Sequence, residues 1–144
     1  ISCLSRTVPM TRSRITVSLD ETLKIMNIRY IGTLNGDEVN SNMMSQLVHV
    51  PNVWEYDSIL DMRRYEGTIM GKEIEDLSVR WNQLVQGRDA GGFTAIISDD
   101  PLVRARLSIT QSLFPQRTLE NFNTFDEGLD WIKARKAATV VQPT

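Results

Sequence analysis

Apolar positions along this chain switch repeatedly between two periods, and the switches divide it into elements. Ile15, Val17 and Leu19 alternate with Thr16 and Ser18, the period of a half-buried strand. Asp20-Glu21-Thr22 interrupts the pattern, and Leu23 to Ile31 reads as a second strand reached by a short hairpin link. Gly32 to Asn35 is a turn. Asn35 and Glu38 have the spacing of a capping box, and behind them Val39, Met43, Met44 and Leu47 share one helical face. That helix stops before Pro51, because the residue preceding a proline is pushed out of the helical region. Ser58 to Met62 predicts a third strand.

Met70, Ile74, Leu77, Trp81 and Leu84 then form the clearest apolar stripe in the chain, at alternating spacings of four and three. Glu73, Glu75 and Asp76 suit the positive end of that helix's dipole, and Gly87 ends it. Phe93 to Ser98, after the Gly91-Gly92 turn, reads as a strand buried on both faces. Asp99-Asp100-Pro101 opens another helix, running to about Leu113. Thr118 to Phe122 is the last strand. Thr124 and Glu127 repeat the capping-box spacing ahead of a final helix lined by Phe125, Leu129 and Ile132.

The order β-β-α-β-α-β-α-β-α predicts an α/β fold: a single-domain mixed β-sheet of about five strands flanked by about four helices. The initial hairpin makes the sheet mixed. Residues 14–136 are expected to form this domain, with 1–13 a disordered leader and 137–144 a frayed tail. The leader carries Arg6, Arg12 and several Ser and Thr but no acid, so an Arg- and Ser-rich transit segment is the competing reading.

Composition acts mainly by exclusion. The 144 residues are one domain's worth, long enough to bury a core without staples. Sixteen basic and eighteen acidic side chains leave a formal charge of -2, without the basic excess that nucleic-acid binding requires. Cys3 is the one cysteine, which excludes a disulfide within the chain and fits a reducing compartment such as the cytoplasm. His49 is the one histidine, so a site with two or three histidines cannot be built from a single copy. No apolar run approaches the ~18–20 residues of a membrane span. The nucleophile elbow, the phosphate loop, the dinucleotide fingerprint and the zinc-protease motif are all missing. The expectation is a protein that is not an enzyme and has no cofactor, bound metal, nucleic-acid partner or membrane span.

Candidate binding residues follow from position. Asp61 ends the third strand, and Arg63, Arg64, Glu66 and Thr68 are expected in a loop of about seven residues behind it. Asp99 and Asp100 follow the fourth strand. Partners of open α/β sheets dock at such carboxyl ends. Arg63 and Arg64 suit an anionic group; otherwise they are solvated while Asp61 holds loop amides. Thr68 is read either as the N-cap of the long helix or as a phosphorylation site. Asp61, Asp99 and Asp100 together would resemble a Mg²⁺ and phosphoryl site, although capping accounts for at least one of them. The methionines suit either a soft pocket for a small apolar or anionic ligand or a gap-filling role in the core. Trp81 and Trp131 read as core anchors. A homodimer is expected to use an open sheet edge or the Met43-Met44 face.

The chain also resembles a known family. "IGTLNGDEV" follows the second strand, "SILDMRRYEG" forms the third, "AIISDDPLVRA" the fourth, and "FNTFDEGLDWI" stands near the end. In this order, over about Ile15 to Arg135, they resemble the SpoIIAA-like superfamily. More closely, they resemble the bacterial STAS-domain group related to CRAL/TRIO lipid-binding domains. The resemblance implies a compact mixed sheet flanked by helices, without catalytic machinery. STAS antagonists bind a protein partner and are regulated by phosphorylation at the start of the helix after the third strand. Their pattern there is an aspartate followed by adjacent serines and glycine, where this chain has Glu66-Gly67-Thr68. The CRAL/TRIO relatives imply a second expectation, a small apolar or lipid-like ligand, which they enclose in a larger domain.

Overall fold

The computed structural model describes residues 12–89 and 91–140. Five strands, β1 (Arg14–Asp20), β2 (Ile25–Gly32), β3 (Asp57–Tyr65), β4 (Phe93–Ile97) and β5 (Thr118–Phe122), lie side by side in chain order. β1 is antiparallel to β2, and the remaining pairs are parallel. This is the mixed sheet that the alternation of periods predicts. Helices α1 (Gly36–Leu47) and α2 (Gly71–Val85) pack on one face; α3 (Pro101–Ala105) and the neighbouring α4 (Leu107–Leu113) complete that side. Among the described residues α5 (Phe125–Val140) is the one helix on the other face.

Each face has its own core. Met26, Ile28 and Tyr30 of β2 meet Val39, Met43 and Leu47 of α1 and Trp81 and Val85 of α2. On the opposite face Ile59, Ala95 and Ile97 meet Ile132. Gly128 lets α5 approach there, since a Cβ on it would stand 2.6 Å from Ile97 Cδ1 and 3.1 Å from Ala95 Cβ. The last turns of α5 are tied to the sheet by Lys136 Nζ, which donates to Asp57 Oδ2 at 2.7 Å.

Four local expectations are corrected. β3 does not end at Met62: Arg64 pairs with Ile31 and Tyr65 with Gly32, because β2 is long enough to carry the ladder onward. Arg63 and Arg64 are therefore strand residues, and the connection to α2 shrinks to Glu66–Met70. The helix expected to run unbroken to Leu113 is divided at Arg106, whose backbone (φ -95, ψ 6) leaves helical geometry. Met70 is not part of the α2 stripe. It is the N-cap and 55% exposed, and its amide donates to Glu73 Oε1. The Met43-Met44 face is not free for a dimer, since Met43 is buried against the sheet and Met44 packs on the same cluster.

The ends differ from expectation as well. α5 runs on to Val140 through the first part of the expected tail, and residues 141–144 lie outside the described residues. Of the expected leader, 1–11 also lie outside them, Cys3 included. Ser13 is fastened to the domain, its Oγ accepting from Thr33 N at 3.0 Å. His49 is exposed just after α1.

At both outer strands a glutamine occupies two of the outward backbone groups. Gln46 of α1 accepts from Val17 N through Oε1 (3.1 Å) and donates through Nε2 to Ile15 O (2.6 Å). Gln111 of α4 does the same to β5, accepting from Leu119 N (2.8 Å) and donating to Arg117 O (2.6 Å). An unpaired row of edge amides is a template for another strand, and here part of each row is taken up, at Ile15 and Val17 on β1 and at the start of β5. Replacing both glutamines by leucine leaves four buried or half-buried backbone groups without partners. We expect a loss of about 1–3 kcal/mol at each position in urea unfolding. Concentration-dependent association should also appear in light scattering of the double variant. A monomeric double variant of unchanged stability would contradict this role.

Candidate functional site

The parallel strands end together, and a cavity of about 260 Å³ opens beneath the helices at that side of the sheet. Its floor is the α1/α2 face of the strands, with Ile28, Leu60, Met62 and Ile96 upward. Ile74 and Leu77 of α2, Leu107 of α4 and Phe114 just after it stand opposite. Thr68 and Ile69 before α2, and Asp99, Asp100 and Leu102 around the start of α3, form the mouth. Thr68, Asp99, Asp100 and Leu102 are exposed, whereas Ile28 and Ile96 are buried. The space thus runs from solvent into the core.

A slip of register shapes the floor. Asp61 pairs with Arg29 and Arg64 with Ile31, so two β3 residues oppose one on β2. Such a bulge reverses the alternation of side chains beyond it. Leu60 and Met62 line the cavity before the slip, and Tyr65 lines it after. Tyr65 stands edge-on to Tyr30, 5.7 Å between centroids, and its hydroxyl donates to Leu34 O. Gly67 leaves the room for that bond, since a Cβ there would lie 2.5 Å from Leu34 O. Burial pushes the Tyr30 phenol far up, with Tyr65 adding to it. Burial also raises the Tyr65 phenol, and the charges of Glu73 and Glu38 raise it further. Both phenols keep their protons at neutral pH.

The inner end is polar and fully engaged. Arg117 Nη1 meets Asp89 Oδ1 at 3.1 Å, its Nη2 donates to Tyr56 O, and its Nε reaches Thr94 Oγ1 at 3.3 Å. Asp89 also accepts from Trp81 Nε1 at 2.9 Å. Nearer the mouth, Asn40 of α1 donates to Glu73 O and to Asp76 Oδ2 in the first turns of α2. Arg106, at the break between α3 and α4, differs. It lines the cavity and donates from Nη2 to Ile69 O (2.7 Å), but its Nε is buried without an acceptor.

Four of the residues singled out from the sequence line this space: Arg63, Thr68, Asp99 and Asp100. Thr68 lies two residues ahead of the N-cap and does not cap α2. Asp100 caps α3, accepting from Leu102 N at 2.9 Å. Asp61, Arg64 and Glu66 are not part of the lining. Asp61 is buried beside the α5 face and grips Arg63, with Nε to Oδ1 at 2.8 Å and Nη2 to Oδ2 at 2.7 Å. The Arg63 guanidinium also lies 5.5 Å from the centre of the Phe125 ring. Arg64 and Glu66 are exposed. The three-aspartate cluster does not assemble, because Asp61 is ion-paired with Arg63 and lies outside the cavity. Among the described residues no group of three or more His, Cys, Asp or Glu stands close enough to hold a metal.

Arg106, Tyr65, Asn40 and Arg117 are cavity residues that sequence reasoning did not single out. Nothing in "PLVRARL" marks Arg106 apart from Arg104. Among the described residues no helix is long and apolar enough to cross a membrane.

The Asp61–Arg63 pair has a defined pH dependence. Burial alone raises the Asp61 carboxyl, but the hydrogen bonds and charge of Arg63, with the charge of Arg29, outweigh it, so the net shift is downward. A carboxyl lowered in the folded state adds stability above its unfolded value and loses it as pH falls through the folded value. Asp61→Asn should therefore cost about 1–3 kcal/mol at neutral pH. The gap from wild type should narrow as pH falls below the ordinary carboxylate value of 3.8. Urea unfolding across that range checks this, and a gap independent of pH would refute it.

Two solved structures have this architecture. One is an uncharacterized protein from the DUF3478 family with a SpoIIAA-like fold, from Shewanella loihica PV-4. It matches at a TM-score of 0.57 and 13% identity, over 88% of this chain and 99% of that one. The other is the anti-sigma factor antagonist SpoIIAA in its unphosphorylated form, at a TM-score of 0.54 and 13% identity, over 83% of this chain and 97% of that one. No protein-family model matches the chain. No curated protein matches it either. The chain has the SpoIIAA-like fold, as the order of its motifs implies.

Proposed function

We propose that this chain is a non-enzymatic regulatory module of STAS type that binds a protein partner at the cavity mouth. The observation that carries this reading is the composition of the rim. Leu102 (45% exposed) presents apolar surface at a mouth also formed by exposed Thr68, Asp99 and Asp100. Apolar anchors ringed by polar groups are how non-obligate interfaces are built. The fold shared with an anti-sigma factor antagonist supports the same reading. Phosphorylation of Thr68 would bring about −2 of charge to a mouth already holding Asp99 and Asp100, and would release a partner by repulsion.

Affinity capture with mass spectrometry tests this. Wild type and Val79→Glu, an exposed α2 position outside the lining, should retain the same specific protein, and Leu102→Glu should lose it. Identical protein sets from all three would overturn the reading.

The cavity favours a second reading, a small apolar ligand held beneath the helices. Its 260 Å³ lies just under the ~300 Å³ at the small end of ligand pockets. Native mass spectrometry of gently purified protein decides: a retained small molecule supports this reading, and the bare chain mass counts against it.

A further inference from the structure

We propose that the cavity takes a single-chain amphiphile with an anionic head, and that Arg106 holds the head; this rests on the second reading above. Three guanidinium groups border the space. Arg63 is ion-paired with Asp61 through Nε and Nη2, and Arg117 is paired with Asp89 and bonded to Tyr56 and Thr94. Arg106 is the exception. Among the described residues it forms no ion pair, and its one side-chain hydrogen bond goes to the carbonyl of Ile69. Its Nε is shut off from solvent with no acceptor.

A buried donor without a partner is costly and uncommon in native proteins, and a guanidinium suits a carboxylate or phosphate oxygen in particular. The carbonyl of Ile69 occupies one arm, which places the unfilled donor where the mouth loop meets the break between α3 and α4. Around it Ile69, Leu102, Val103 and Leu107 give apolar walls that continue to Leu60 and Ile96 on the floor. A head at Arg106 thus leaves a chain extending over the sheet.

The acids at the mouth do not supply the missing partner. Asp100 is occupied as the cap of α3, and Asp99 is exposed. The inner end is closed to a charged head because Arg117 and Asp89 already neutralise each other. The cavity's size excludes a two-chain lipid and admits one short chain.

Calorimetric titration of the intact protein with decanoate, decanol and decyltrimethylammonium, each below its aggregation limit, tests the head separately from the tail. We expect decanoate to bind about ten- to a hundredfold tighter than decanol, with the cation weakest. Arg106→Gln, checked for folding by its thermal transition, should bring decanoate to the level of decanol and leave decanol unchanged. Binding of none of the three would remove both the apolar-ligand reading and this proposal. Equal binding of decanoate and decanol by wild type, which needs no variant, would remove the role of Arg106 and leave the apolar site standing. Equal loss of both ligands in a folded Arg106→Gln protein would also overturn it, by making the arginine only a brace for the roof.

Discussion

The molecule depends on a strand buried on both faces that still carries two carboxylates. β3 pairs in parallel on each side and is covered by helices above and below. Apolar residues meet that demand through Leu60 toward α2 and Ile59 toward α5. Asp57 and Asp61 do not, and each needs its own cation. Lys136 answers Asp57 and so fixes where α5 lies; Arg63 answers Asp61 and so holds the strand beyond its apolar part. Removing one member of such a pair leaves an uncompensated charge, which costs more than the pair itself contributes. The carboxylates therefore act less as glue than as constraints on geometry.

That geometry produces the cavity. With Arg63 turned toward Asp61, the register slips between Asp61 and Arg64, and Tyr65 swings to the face that Leu60 and Met62 already occupy. The broken helix on the same side completes the enclosure. A straight helix from Pro101 to Leu113 would present one face continuously, whereas the break at Arg106 puts that residue on the cavity wall. Apolar enclosure, a polar inner plug and a mixed rim at the strand ends form one continuous surface.

Much of this was legible in the sequence, for identifiable reasons. Hydrophobic period is local, so the strands at Ile15 and Phe93 and the helices at Asn35, Leu77 and Thr124 appear in the sequence where they occur in space. The mixed sheet follows from the hairpin and the alternation. What was not legible depended on long-range pairing. The extension of β3 through Arg64 rests on a partner strand more than thirty positions earlier. Charge alone suits a loop for "RRYEG", but ladder bonds to β2, which charge does not report, make its first three residues strand and leave Glu66 and Gly67 in the loop. Asp61 does hold a backbone amide, that of Arg63, but the same carboxylate also grips the Arg63 guanidinium, a pairing that spacing does not reveal. Glu73, expected only to complement a helix dipole, serves as the cap partner of Met70. Arg106 carried no local signal, since its significance comes from an absent acceptor.

The central claim is that the α1/α2 side of the sheet encloses a genuine apolar space open at the strand ends. The methionines are placed to report on it. Met26, Met43 and Met62 line the cavity, and Met70 stands exposed outside it. Methyl NMR of the protein under xenon, which enters dry apolar cavities, is the most direct measurement. The account predicts saturable shifts of the Met26, Met43 and Met62 methyl signals, with Met70 unmoved. Signals from all four that stay in place as xenon pressure rises would contradict it.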